Sequence, residues 1–237
     1  VPRMAFPDVE EALGRAGKGA VLETHELRDH AVVLALWDEV QRHLGRHAQE
    51  APALAIAARA LGAGHELRGV KASLEASIQP DGSIRDSATP ELRRLTHHAN
   101  DLKQQIRHRL EDILQSKRYE DALQEQYFAE RDGRYVVPIK IDMQGRVPGI
   151  VHDVSASGAT VFVEPRELVD LNNAIKVADR EIDREVMRIL RDLSGRLAEK
   201  AAIILAGVDA LAELDAIAAR AALARRLQAS PVSLNDE

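Results

Sequence analysis

His152, Asp153, Ser155 and Ser157 fall within one six-residue stretch, and these are the residue types of a nucleophilic hydrolase. A serine attacks, an imidazole takes its proton and a carboxylate orients the ring. The spacing speaks against that chemistry. Neighbouring residues of a regular strand point to opposite faces, so His152 and Asp153 would not meet one substrate, and nothing nearby suggests an oxyanion hole. A turn built of small polar residues is the plainer reading. The hydroxyls of Ser155 and Ser157, with the amides around Gly158, are also donors that suit a phosphate.

Two further patterns are weaker than they look. Gly14-Arg15-Ala16-Gly17-Lys18-Gly19 resembles a phosphate-binding loop, but that motif needs Gly-x4-Gly-Lys-Ser/Thr after a strand. Here alanine stands at position 12, glycine at 19, and the preceding pattern is helical, so a glycine helix terminus is expected. His97, His98 and His108 lie on a predicted helix, where the adjacent pair diverges by about 100° and cannot share a metal. With no cysteine in the chain, disulfides and thiolate metal sites are excluded. No catalytic residue, metal ligand or cofactor-binding residue is nominated in this chain.

The formal charge is −6, against the usual sign for a free-standing nucleic-acid binder. The charge is uneven, however. Residues 91–118 carry seven Lys or Arg and four Asp or Glu, net +3; residues 131–166 carry five and four, net +1. That is a modest electrostatic footprint for contact with a phosphate backbone.

The elements that must position these groups are mostly helical. Apolar residues make up 45% of the chain but aromatics 3%, and alanine, leucine, glutamate and arginine dominate, a profile that favours paired helices. Up to residue 88 the pattern reads as short helices forming a core. Asp8 and Glu11 have capping-box spacing, Thr24 is placed to cap a helix carrying Trp37, Pro52 to Gly62 bounds a third, and Leu67, Val70, Leu74 and Ile78 mark a fourth. Thr89-Pro90-Glu91 then opens a long helix whose seam runs Leu92, Leu95, Ala99, Leu102, Ile106 and Ile113, with polar Arg109 at the skipped position. A second seam begins with Leu168 and runs to Leu193, Val186 lying near its skipped position. The pattern continues without proline from Arg166 to Ser230, about sixty residues, with Gly195 or Gly207 as the expected bend.

Between the seams lies strand chemistry: Asp132-Gly133 as a hairpin turn, Tyr135 to Ile141 interrupted by Pro138, then Gly149–Val154 and Thr160–Val163 joined by Ser155–Gly158. Pro138 points to an edge strand or a bulge. The expected fold class is therefore mainly α: a helical core plus a long antiparallel helical stalk carrying a small antiparallel β insert. The division is 1–88 core, 89–133 first stalk helix and first strand, 134–165 insert, and 166–237 returning helix and return to the core. No membrane span or signal peptide is read, a cytoplasmic setting is expected, and Val1-Pro2-Arg3-Met4 looks like a cleaved tag scar or an internal cut.

Arg134-Tyr135-Val136-Val137-Pro138-Ile139-Lys140, then Gly145 to Pro165 (GRVPGIVHDVSASGATVFVEP), with Leu171-Asn172-Asn173 after it, resembles the central signature of the second bacterial branch of the MutS family. Looser similarity covers Asp8–Leu22 and Asp81–Leu92. The branch is associated with suppressing homologous recombination rather than repairing mismatches. The resemblance implies a helical core, a lever of long helices and a clamp at 134–165. It also implies, elsewhere in a parent protein, a dimerising ATPase domain using ATP and Mg and a small MutS-related nuclease domain. The implied partner is duplex or branched DNA held by its backbone, with ribosomal RNA as a second candidate and a homodimer for the parent. Within the matching motif, Arg134, Lys140, Arg146, Ser155 and Ser157 have the donor chemistry for phosphate contact. The competing reading is a structural stalk that transmits ATPase state or forms a dimer surface. An enzymatic site in this segment ranks last, because no cluster of carboxylates is available to hold a metal.

Overall fold

The computed structural model describes residues 4–47, 49 and 61–229. The chain divides into two compact units, one of residues 1–88 with 187–237 and one of residues 89–186.

In the first unit, α1 (Glu10–Gly17) is preceded by Asp8, whose carboxylate accepts from the Glu10 amide at 3.0 Å. At its end, Lys18 N–H donates to Arg15, Gly19 N–H to Ala16 and Ala20 N–H to Arg15, while Gly19 takes φ +86. The amides that a phosphate loop would aim at a ligand here close the helix. Helix α2 (Thr24–Arg46) is capped by Glu23 in a reciprocal box with Glu26, so Thr24 is the first helical residue and not the cap expected of it. The third helix expected from Pro52 lies outside the described residues up to position 60, and Gly62 stands inside a 3-10 segment, Leu61–Leu67. Helix α3 (Arg68–Ser77) follows.

Trp37, 1% exposed, centres this unit. A Cβ on Gly207 would lie 1.6 Å from its Cζ3, so only glycine lets the indole reach the helix backbone there. Gly207 and Gly195 both sit within continuous helix. The break in the long apolar pattern falls at Lys200 (φ −107, ψ 10), between α5 (Val169–Glu199) and α6 (Ala201–Leu227). The single sixty-residue run is thus two helices of 31 and 27 residues.

In the second unit, α4 (Pro90–Gln115) starts as its sequence demands: Thr89 Oγ1 accepts from Leu92 N–H at 3.0 Å and Pro90 occupies the first helical position. It pairs antiparallel with α5. Thr89 meets Glu185, Lys103 meets Asp179 and Tyr119 meets Glu167, the numbers running in opposite directions. Leu110, 0% exposed, fills the place left open by polar Arg109, because at 3.6 residues per turn the buried stripe can step four and then three. Buried Glu185 stands where Val186 was expected and satisfies its carboxylate with the Thr89 hydroxyl at 2.7 Å.

The insert is a four-stranded antiparallel sheet in the order β1-β2-β4-β3: β1 (Ala129–Arg131), β2 (Arg134–Lys140), β3 (Gly149–Val154) and β4 (Thr160–Pro165). Asp132 (φ 51) and Gly133 (φ 67) form a tight turn with both central residues left-handed, the geometry that matches strand twist. Pro138 is neither on an edge strand nor in a bulge. It pairs with Phe162 inside β2, and its carbonyl accepts from Gln124, so its missing N–H falls on the side of segment 122–124 and not in the β4 ladder. Val137, Ile139, Val161 and Val163 pack on Leu102, Ile106 and Ile113 of α4 and Ile175 of α5 in one core.

Candidate nucleic-acid interface

Glu164, 0% exposed, is the hub of the insert, and donor chemistry alone did not single it out. Its carboxylate accepts from Arg134 Nη1 at 2.6 Å, from Asn172 Nδ2 at 2.8 Å and from the His152 ring Nε2–H at 2.6 Å. Asn172 also brackets Tyr135, accepting its N–H at 2.9 Å and donating to its carbonyl at 3.1 Å, so the amide acts as a short strand partner from the start of α5. Arg134 Nη2 donates to Asn173 Oδ1 at 2.7 Å. A carboxylate buried this deeply is tolerated because both of its oxygens have donors, two on Oε1 and one on Oε2. One available signal was a lone glutamate ending an otherwise apolar strand, Thr160-Val161-Phe162-Val163-Glu164.

His152 reaches Glu164 through a bulge. The β3–β4 register slips between Val151 and Asp153, leaving His152 as the extra residue. The strand is therefore not regular where the hydrolase argument assumed regularity. The two side chains nonetheless part: Asp153 accepts from Arg131 Nε at 3.0 Å, and Arg131 lies over the Phe162 ring at 4.2 Å. Gly149 permits the neighbouring close approach, since a Cβ there would stand 2.2 Å from the Glu164 carbonyl oxygen.

The five nominated residues do not form one patch. Arg134 and Lys140 bracket β2, about 20 Å apart at strand rise. Arg134 is committed to Glu164 and Asn173. Ser155 Oγ accepts from Thr160 N–H at 3.1 Å and lies 3.3 Å from Ser157 Oγ, while Gly158 N–H donates to the Ser155 carbonyl, so the serines shape the β3–β4 turn. This turn lies at the Lys140 end, where Lys140 pairs with Thr160. Lys140 Nζ donates to the carbonyl of Asp121 at 3.0 Å, and among the described residues its charge meets no carboxylate. Arg146 is exposed at the end of the 3-10 segment Ile141–Arg146. His97, His98 and His108 are exposed on α4, and among the described residues no three His, Asp or Glu gather as metal ligands. Burial, with the Glu167 carboxylate second, pushes the Tyr119 phenol above its ordinary range.

A short antiparallel sheet seated on two antiparallel helices, with a polar hub where sheet meets helix, is a lever-and-clamp module. Curated proteins named Endonuclease MutS2 match it over nearly the whole chain. That of Pelotomaculum thermopropionicum is 38% identical over 224 residues, 94% of this chain and 28% of the relative. One from a Geobacillus species is 36% identical over 239 residues, all of this chain and 30% of the relative; one from Thermomicrobium roseum is 36% identical over 227 residues, 94% and 28%. No protein-family model matches the chain. The chain belongs to the MutS2 family, and it spans under a third of the length of these relatives. Among the described residues, no helix is long and apolar enough to cross a membrane.

Proposed function

We propose that this chain is the nucleic-acid-contacting core, lever and clamp of a MutS-family protein. It touches phosphate backbone without reading base sequence, and its whole-length parent is a cytoplasmic, dimeric, ATP- and Mg-using protein that suppresses homologous recombination. The observation that carries the contact is the internal pairing of the insert. Arg131 is paired with Asp153 and Arg134 with Glu164. Among the described residues Lys140, Arg146 and Arg166 have no carboxylate partner, and Asp132 and Asp142 are the acids left to oppose them. Free positive charge thus gathers on the arm from Lys140 to Arg146 and on Arg166, whose N–H donates to the carbonyl of Pro148, two residues past Arg146. Arg134, Ser155 and Ser157 serve the contact by holding the surface that presents those cations.

The test is a salt-titrated binding comparison of the chain with duplex DNA, a four-way junction and structured RNA. Affinity should fall steeply with salt, and K140A/R146A should weaken binding to all sequences alike. Preference for structured RNA over both DNA forms would move the reading to the ribosome. Binding unaffected by K140A/R146A would remove the insert as the contact site.

A further inference from the structure

Two carboxylates on the lever part of α5 are engaged across the helix pair: Asp179 accepts from Lys103 at 3.0 Å, and buried Glu185 accepts from Thr89 at 2.7 Å, while Glu181 is exposed. Asp170 stands in the first turn, where it complements the helix dipole, and Asp183 remains exposed. Lys176, Arg180 and Arg184 follow one another every four residues, which makes them neighbours along a single ridge. Among the described residues none of the three has an ion pair or side-chain hydrogen bond. The ridge starts at the clamp: a Cβ on Gly133 would lie 3.7 Å from Lys176 Cε, so the lysine stem rests on the β1–β2 turn.

We propose that this ridge is a phosphate track on the lever, along which the backbone of a nucleic acid engaged by the clamp continues. The inference rests on the nucleic-acid reading above and extends it from sheet to helix. From Lys176 to Arg184 the helix rises about 12 Å. One strand of a duplex presents a phosphate about every 3.4 Å along its axis, so the row faces three or four of them. An evenly repeated cation suits an evenly repeated anion. An acidic protein helix would want apolar anchors at several turns, and over residues 169–186 Val177 is the exposed large apolar residue among those described.

The experiment measures binding of the chain to a labelled duplex across a salt series, for wild type, R180A/R184A, R180K/R184K and K140A/R146A. Each lost phosphate contact lowers the slope of log affinity against log salt by about 0.9. R180A/R184A should therefore lose about 1.8 from the slope, and R180K/R184K should retain it. If K140A/R146A lowers the slope while R180A/R184A leaves it unchanged, the track is wrong and the clamp contact stands. If only R180A/R184A lowers it, the track stands and the clamp contact is wrong. Absence of salt-dependent duplex binding by wild type overturns both. Displacement of the duplex by polyglutamate as readily as by unlabelled duplex at equal charge would reassign the ridge to an acidic protein and overturn the nucleic-acid track.

Discussion

Replacing Glu164 by alanine should loosen the β insert far more than replacing any other acid in it. Three donors converge on this carboxylate within 2.6–2.8 Å, and the glutamate is 0% exposed while the side chains of Arg134 and His152 retain 20% and 18%. Glu164→Ala leaves a guanidinium without its counter-charge in a mostly buried site, and strands one donor each from Asn172 and His152. Breaking one side of a buried pair costs about 3–5 kcal/mol. At about 1.4 kcal/mol per tenfold, amide hydrogen exchange in β2, β3 and β4 should accelerate roughly a hundred- to several-thousandfold if those amides open together. The internal comparison is Asp153→Ala. Its pair with Arg131 is at 3.0 Å, but the two side chains are 48% and 39% exposed, so the loss should be at most about 1 kcal/mol, roughly fivefold in exchange. If Glu164→Ala accelerates sheet exchange by less than tenfold, or no more than Asp153→Ala, Glu164 is not the hub and the reasoning fails.

Gly207→Ala places a methyl 1.6 Å from Trp37 Cζ3 and 1.9 Å from Cη2, so the melting temperature should drop by several degrees for a cost of about 1–3 kcal/mol. Trp37→Leu should recover part of that drop in the double variant, and an unchanged melting temperature in Gly207→Ala alone would refute the packing argument. His30 is 1% exposed, with Nδ1 donating to the Glu26 carbonyl at 2.7 Å and Nε2 buried with no partner among the described residues. Burial pushes its imidazole below the ordinary 6.5, against the opposing pull of the Glu26 carbonyl and the Glu26 and Asp29 carboxylates. Because the folded state holds the proton less tightly than the unfolded chain, its contribution is complete above pH 6.5 and is lost as pH falls below it. Denaturation midpoints should therefore decline from pH 7 to pH 5 less in His30→Leu than in wild type, and equal declines would count against it.

Periodicity and punctuation made much of the fold legible. The seam from Leu92 to Ile113 and the start at Thr89-Pro90 follow from local rules, because a cap and a 3.6-residue stripe act within a turn or two of themselves. The turn at Asp132-Gly133 is equally local. What stayed hidden depends on distant neighbours. Gly207 invited a helix break, yet its role is to admit Trp37 from 170 residues earlier. Lys200, an ordinary helix former, carries the actual break. Pro138 signalled an edge only because the segment at 122–124, which accommodates its missing donor, has no strand signature of its own.

The nominated site shows the same boundary. Donor chemistry treats Arg134, Lys140 and Arg146 as equals, since each can bind a phosphate. Only pairing separates them: Arg134 meets a fully buried carboxylate, Lys140 meets a neutral carbonyl, and Arg146 is exposed. A similar separation runs through the family signature. Of Arg134, Gly149, His152, Glu164 and Asn172, donor chemistry nominated Arg134 alone for phosphate contact. In the fold they hold one another. Gly149 lets β3 approach Glu164, the bulge turns His152 inward, and Asn172 ties the helix to β2. In this chain these residues seat a small sheet on a helix pair with a buried carboxylate inside the joint. On the function proposed above, contact with a partner falls to cations that the joint leaves unneutralised, and those are recognised only after every internal pair has been accounted for.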